Sequence, residues 1–439
     1  MKLALNPVRL KSRLLFVGLL AVYVSVRVYL GLLPGWADDV NAYKSWAHGA
    51  ANTGLVSAYE TTEVDYPPLC LYIYYPVGKI YLALGFEDTA ESLHESGLAT
   101  LLIKTPQFIF DLLLAGLIYW LVASYGVWGQ SRSSVEYGRL AALLYLWNPA
   151  VLWGPGYWGQ PDSIHTALAV GAFAVLGSGR LVGPGMLLAA ASLMKPLAAP
   201  LAPLLLVAAF MRRGFRGFLM IGLGGLAAGV LIFLPFIVTG RAYAVFERVL
   251  LDLDSMAFTS SNGHNLWWVL GGWHDSGRPM LWLLTPKMIG LVLFLLAYGL
   301  LLVRSRTWMV PQTADETEYR SRIFLLGAAV SCSFFFLSTH MHENHMFLSV
   351  PLLLLVAGRG RVFAWLAAGC SLAVCFNMMI HDPALLYSLP SPLDALSGYN
   401  DPQFNRPYTW LQIVGMWFNS ALVTCVVVTA YVSAWRRKI

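Results

Sequence analysis

The sequence predicts an all-α polytopic membrane protein of about 12 transmembrane helices, and three observations predict it. Hydrophobic residues fill 58% of the 439 positions and charged residues only 12%, a balance foreign to water-soluble domains. Apolar runs of membrane length recur from Leu14 to Ala434. Lys and Arg collect in alternate connecting segments, the asymmetry expected of cytoplasmic loops. No soluble domain separates from the rest, so residues 1–439 read as one integral membrane domain. Its first extracytoplasmic loop, 34–99, is expected to be helical; further such loops fall at 239–280 and 381–408.

The expected spans are 14–33, 100–124, 138–153, 163–178, 182–194, 197–210, 216–238, 281–303, 323–337, 346–357, 362–380 and 409–434. The first is followed by many others and therefore reads as a retained span, not a cleaved signal peptide. Both chain ends are then cytoplasmic, beside basic groups such as Arg139, Arg180, Arg212, Arg304, Arg320, Arg359 and Arg436. The nine histidines, and every acid but Glu136, Asp315, Glu316 and Glu318, fall on the other side. Chemistry is expected on that extracytoplasmic or lumenal face, with a bacterial plasma membrane the favoured setting.

Two apolar stretches need separate treatment. The run from Leu69 to Phe86 would reverse every later loop if it crossed alone, so a helix along or dipping into the outer surface is expected. Arg180 and Arg212 must share a side, which makes the residues between them a broken helical hairpin with its tip near Lys195 and Pro196. Pro196, Pro200 and Pro203 supply the irregularity. Hydropathy shows no internal repeat. The five cysteines include no C-x-x-C pair and leave the redox compartment open. The net charge of +6 fits basic cytoplasmic loops; without a basic stripe interleaved with aromatics, nucleic acid is excluded as a partner.

Polar residues cluster on the outer side. Asp38 and Asp39 sit where a helix can begin, Asp38 as a candidate N-cap and Asp39 as either a cap or a general base. Asp65 opens "DYPP", a proline-set turn or a site carboxylate. "GYWGQPDS" offers Tyr157, Trp158, Gln160 and Asp162, an interfacial aromatic belt or a sugar contact, where rings stack and hydroxyls find donors and acceptors. Lys104 and Asp111 lie two turns apart on one helix face and can pair; Lys195 has no partner nearby in sequence. Charges at such depth are costly and usually paired or functional. Asn265 and Trp267 belong to a late loop, "SSNGHNLWW", read as a turn with aromatic belt or as a contact surface. His342, Glu343 and His345 do not have the H-E-x-x-H spacing of a zinc site. Histidines and a lysine at outer helix ends suit an anionic phosphate, with Glu343 orienting a histidine. A divalent metal is not favoured, and no cofactor is expected.

In these positions the chain resembles the GT-C glycosyltransferases, multi-span enzymes using polyprenyl-phosphate sugars, and most closely the dolichyl-phosphate-glucose glucosyltransferases of N-glycan assembly and their bacterial relatives. Asp39 followed by Trp46, "DYPPL" at 65–69, Lys104 with Asp111, Gln160, Lys195, Asn265 with Trp267, and His342 with Glu343 fall in that family's order. The family's basic residue after the His-Glu pair is here replaced by Asn344 and His345, so the sugar, glucose or mannose, does not carry over. The resemblance implies an inverting hexosyltransferase acting on a glycan, lipid-linked or protein acceptor. Asp39 would deprotonate the acceptor hydroxyl; Lys195, His342, Lys104 and His345 would hold the donor phosphate; Asp38, Asp65, Tyr157, Trp158, Gln160, Asp162, Asn265, Trp267 and Glu343 would contact sugar or acceptor. The alternatives are a transporter or flippase of lipid-linked sugars, which usually shows repeats and midplane charges, and a metal-dependent outward hydrolase.

Overall fold

The computed structural model describes residues 7–129, 134–251, 257–306, 309, 316–386, 400–401, 406–407 and 409–436. Most of the expected loop 381–408 lies outside these residues. The long elements are helices: α1 (Pro7–Leu32), α2 (Ala37–Thr53), α3 (Leu69–Ala83), α4 (Gly97–Tyr125), α5 (Val135–Leu146), α6 (Asp162–Gly177), α7 (Val182–Met194), α8 (Ala202–Val238), α9 (Pro286–Ser305), α10 (Glu316–Leu337), α11 (Ser349–Leu354), α12 (Arg361–Ile380) and α13 (Trp410–Arg436). The strands are two-residue pairs: β1 (Ser260–Ser261) runs parallel to β2 (Met341–His342), and Asn400–Asp401 pairs with Arg406–Pro407. The fold is all-α.

Among the described residues seven helices, not twelve, are long and apolar enough to cross a membrane. Helix length accounts for the difference. α5, α6 and α7 have 12, 16 and 13 residues, and α11 has 6, against roughly 20 for a bilayer. The expected spans 197–210 and 216–238 are continuous in helix and count once, but the chain folds back between them at Arg213 and Gly214, the glycine taking φ +60°, so that a Cβ at Gly217 would come 2.2 Å from Ala209 O. Leu14, Leu226, Leu231, Leu291, Leu296, Leu411 and Phe418 point outward from these helices and are all more than half exposed. Such a continuous apolar exterior belongs in lipid; the protein is membrane-embedded.

The bundle has two chemically different ends. At one, Thr317 Oγ1 donates to Tyr125 O (2.9 Å) and Arg359 Nε to Val127 O (2.8 Å). Arg212 pairs with Glu316 at 3.0 Å and Arg139 with Glu136 at 3.1 Å. The opposite end collects the start of α4, the start of α6 and the ends of α7 and α8, whose Ile103, Ile164, Met194 and Phe236 share one buried cluster with α2 and α3. Tyr43, Trp46, Tyr59 and Tyr74 fill that cluster, each aromatic withdrawn from water contributing about 1.5–3 kcal/mol. α3 lies against α2 so closely that a Cβ at Gly78 would come 1.8 Å from Ala47 O. The chain thus leaves α1 and re-enters α4 at the same end, with α2 and α3 packed over it.

The hairpin expected around Lys195 is present. α7 ends at Met194, Lys195 is extended (φ −152°, ψ 127°), and a 3-10 turn, Pro196–Leu201, leads into α8. Proline at the first turn position needs no N–H partner and sets the turn.

Candidate active site

Gly35 turns the chain after α1 (φ +68°). Trp36 then anchors α2 by packing on Trp158 at a tilt of 42°, with ring centroids 4.7 Å apart, and by donating its backbone N–H to Trp158 O at 3.3 Å. Trp36 therefore occupies the cap position, and α2 starts at Ala37. This corrects the expectation of Asp38 as N-cap. Both aspartates lie in the first turn, where the helix dipole favours negative charge; Asp38 is exposed, while Asp39 turns inward. Trp46, two turns along the same helix, packs on Tyr43 and Tyr66 at 5.2 and 5.5 Å.

A short π-helical segment, Leu152–Trp158, precedes Gly159 (φ +86°), where a Cβ would approach Lys104 Cε and Val40 Cγ2 to 2.8 Å. This tight turn delivers Gln160 and Asp162 to the head of α6. Gln160 Nε2 donates to Asp39 Oδ2, while Gln160 Oε1 accepts from Tyr43 Oη at 3.3 Å and Lys195 Nζ at 3.4 Å. Both contacts to Oε1 come from donors and the contact to Nε2 from a carboxylate, so the amide can face only this way. Lys195 Nζ also donates to Asp162 Oδ1 at 2.7 Å and lies 5.5 Å from the Tyr66 ring centre. Asp162 Oδ2 accepts Asn344 Nδ2 at 2.8 Å. Both oxygens of Asp162 are taken and it is fully buried, which makes it the ion-pair partner of Lys195 and not the sugar contact expected of it.

The third wall is the segment after α10. Pairing of β1 with β2 places Ser261 opposite His342, and His340 adopts φ +63°. The His342 backbone N–H donates to His345 Nδ1 at 3.2 Å, which puts the His345 proton on Nε2. The two rings are 4.9 Å apart. Glu343 Oε2 is 3.8 Å from His342 Nδ1, beyond a hydrogen bond, while the backbone link from His342 fixes the ring of His345.

Burial raises Asp39 to about 6, with Lys195 pulling it down and Asp65 pushing it up. Burial also lifts Asp65 to about 6, although its surface is accessible. Asp65 is exposed and Asp39, His342 and His345 are part-exposed, so the elements carrying them leave an open recess with Asp65 at its rim. His342 is lowered to about 4 by burial, then by Lys195 and His340; His345 falls well below its ordinary value by burial, then by His342 and Lys195. Both imidazoles are thus neutral at neutral pH.

Asp39, Asp65, Gln160, Asp162, Lys195, His342 and His345 therefore meet in one recess. Lys104 does not join them: its Nζ donates to Leu33 O (2.7 Å), Tyr157 O (2.6 Å) and Leu30 O (3.4 Å), closing the carbonyl end of α1. The expected Lys104–Asp111 pair is absent for a related reason. Asp111 accepts Arg27 Nη2 at 2.8 Å, Tyr145 Oη at 2.9 Å and Ser163 Oγ at 2.5 Å. Tyr157 serves through its carbonyl. Trp158 is buried against Trp36 and donates Nε1–H to Asp382 at 2.5 Å. Asn265 Oδ1 accepts the Trp267 and Trp268 N–H groups, each at 3.0 Å, while Nδ2 donates to Phe335 O and Ser338 O. Trp267 Nε1 donates to Leu337 O at 2.8 Å. These two residues fasten the late loop to the end of α10; neither lines the recess.

Sequence reasoning missed Tyr43, Tyr66, His165 and Asn344, ordinary residues whose place in the recess depends on long-range packing. Arg27 carried a visible signal, a charge inside the first apolar run. Among the described residues no three His, Cys, Asp or Glu side chains converge to hold a metal ion. The chain matches no family model and no curated protein.

Proposed function

We propose that this protein is an inverting glycosyltransferase of the GT-C kind, moving a hexose from a polyprenyl-phosphate donor to an acceptor hydroxyl. Asp39 is the general base. The observation that carries this is the Gln160 amide, which joins an inward carboxylate, raised to about 6, to a buried ammonium. A base near working pH accepts a hydroxyl proton, while a cation nearby stabilises the phosphate charge that develops as the anomeric bond breaks. Attack opposite the leaving phosphate inverts the anomeric carbon. His342 and His345, neutral and beside Lys195, add N–H donors toward that phosphate. The recess end faces away from the cytoplasm in this proposal, because Arg139, Arg212, Arg320 and Arg359 gather at the other end.

Purified protein in lipid, supplied with a polyprenyl-phosphate hexose and with acceptors extracted from a deletion strain, tests the proposal. Hexose transfer abolished by Asp39→Asn supports it. Vectorial movement of the lipid-linked sugar without a new glycosidic bond overturns it in favour of a flippase.

A further inference from the structure

The Lys195–Asp162 pair presents a difficulty for any anion-binding role. Its charges already cancel at 2.7 Å in a buried setting. A phosphate that draws Lys195 away leaves the Asp162 carboxylate buried and uncompensated, which is strongly unfavourable.

His165 stands one turn beyond Asp162 on α6. It is 1% exposed, and neither ring nitrogen has a hydrogen-bond partner among the described residues. Its Nδ1 lies 3.9 Å from Asp162 Oδ1, the same oxygen that receives Lys195. A buried polar group without a partner is costly and rarely kept without a use. The groups facing it are Asp162 on its own helix, Lys195 at the hairpin apex, and His345 beyond α10; Asn344 holds the other Asp162 oxygen. Asp162 Oδ1 is within a small side-chain movement of the imidazole.

We propose that His165 is a positioning residue that exchanges with Lys195 on Asp162: as a bound phosphate draws Lys195 Nζ off the carboxylate, His165 takes one proton from solvent and donates Nδ1–H to the vacated oxygen. The buried carboxylate stays paired throughout. A singly charged phosphate then pairs with Lys195 and Asp162 with the new imidazolium, so charge balances with one proton absorbed per phosphate bound. No covalent bond changes. The inference rests on the phosphate-lipid function proposed above and adds a linkage to it.

Farnesyl phosphate, a short polyprenyl monophosphate, is the probe. Its binding to the full chain in phosphatidylcholine nanodiscs is measured by calorimetry in two buffers of different ionisation enthalpy, which counts protons. Wild type should take up at least about one proton near neutral pH. His165→Gln, which keeps size and hydrogen bonding but cannot carry the charge, should bind with about one proton fewer. Its affinity should then gain about tenfold less per unit fall in pH. Asp162→Asn should lose the same proton, and the double variant no more than either single one. Equal uptake in wild type and His165→Gln overturns the exchange. So does uptake near zero in wild type, which needs no variant to fold. Failure of wild type to bind farnesyl phosphate at all overturns the phosphate-lipid function itself, and the exchange with it.

Discussion

Gln160 stands between Asp39 and Lys195, its Nε2 donating to the carboxylate and its Oε1 accepting the ammonium at 3.4 Å. Three elements, α2, the turn before α6 and the hairpin apex, are thereby held to one amide. The proposed base and the proposed phosphate contact cannot shift independently.

Removing that amide separates the two. Gln160 supplies a hydrogen bond that lowers the Asp39 pKa, against burial that raises it. In Gln160→Leu the pKa should therefore rise above about 6, and the acid limb of the pH–rate profile should move upward. Turnover at neutral pH should fall by about 10–100-fold, the scale of one positioning or charge-stabilising contact. An unshifted limb would remove Gln160 from the chemistry.

Asp38 and Asp39 are adjacent acids with opposite surroundings. Asp38 is exposed and caps nothing, while Asp39 faces Gln160. Asp39→Asn should cut hexose transfer by about 10²–10⁴ while donor binding survives, since an amide accepts no proton at working pH. Asp38→Asn should stay within a few-fold of wild type. A larger loss in Asp38→Asn would transfer the role of base to the neighbour.

What was legible in the sequence is what carries a local cost. Lys195 in an apolar run beside proline announced a broken hairpin, and the segment after α1 announced a helical cap over the bundle. The residues of the recess were visible as polar groups at helix ends. Their partners were not, because pairing is decided across the fold: Asp162 for Lys195, Arg27 for Asp111, three carbonyls for Lys104. Hydropathy also exaggerated the number of spans. It registers apolar content and not helix length, so α5, α7 and α11 counted as much as α4.

Asn265 separates a structural role from a contact role. It is fully buried and makes four hydrogen bonds, two capping the turn at Leu266–Val269 and two to carbonyls at the end of α10. Asn265→Ala leaves those groups unpaired, and losing two or more buried hydrogen bonds costs about 2–4 kcal/mol. Thermal unfolding in detergent should move to markedly lower temperature, with activity lost in proportion to folded protein. An unchanged midpoint with lost activity would return Asn265 to the recess.

Acid should destabilise the folded chain before it protonates most carboxylates. His264, His342, His345 and His381 lie outside the spanning helices. Burial lowers all four, His342 to about 4 and His381 to about 3. Their unfolded forms bind protons near the ordinary histidine value of about 6.5, so below that pH the unfolded state holds more protons and stability drops. Asp39 and Asp65 act in the other direction. Raised to about 6, they bind protons in the folded state first, and stabilise it as pH falls from about 6 toward the ordinary aspartate value of about 4. Four groups oppose these two and Asp382, which burial also raises, so the histidines win. The unfolding midpoint should fall steadily from about pH 6.5 downward, and Asp39→Asn with Asp65→Asn should steepen that fall, because two of the opposing carboxylates are gone. A midpoint that rises on acidification would mean that the histidines are not held neutral by burial.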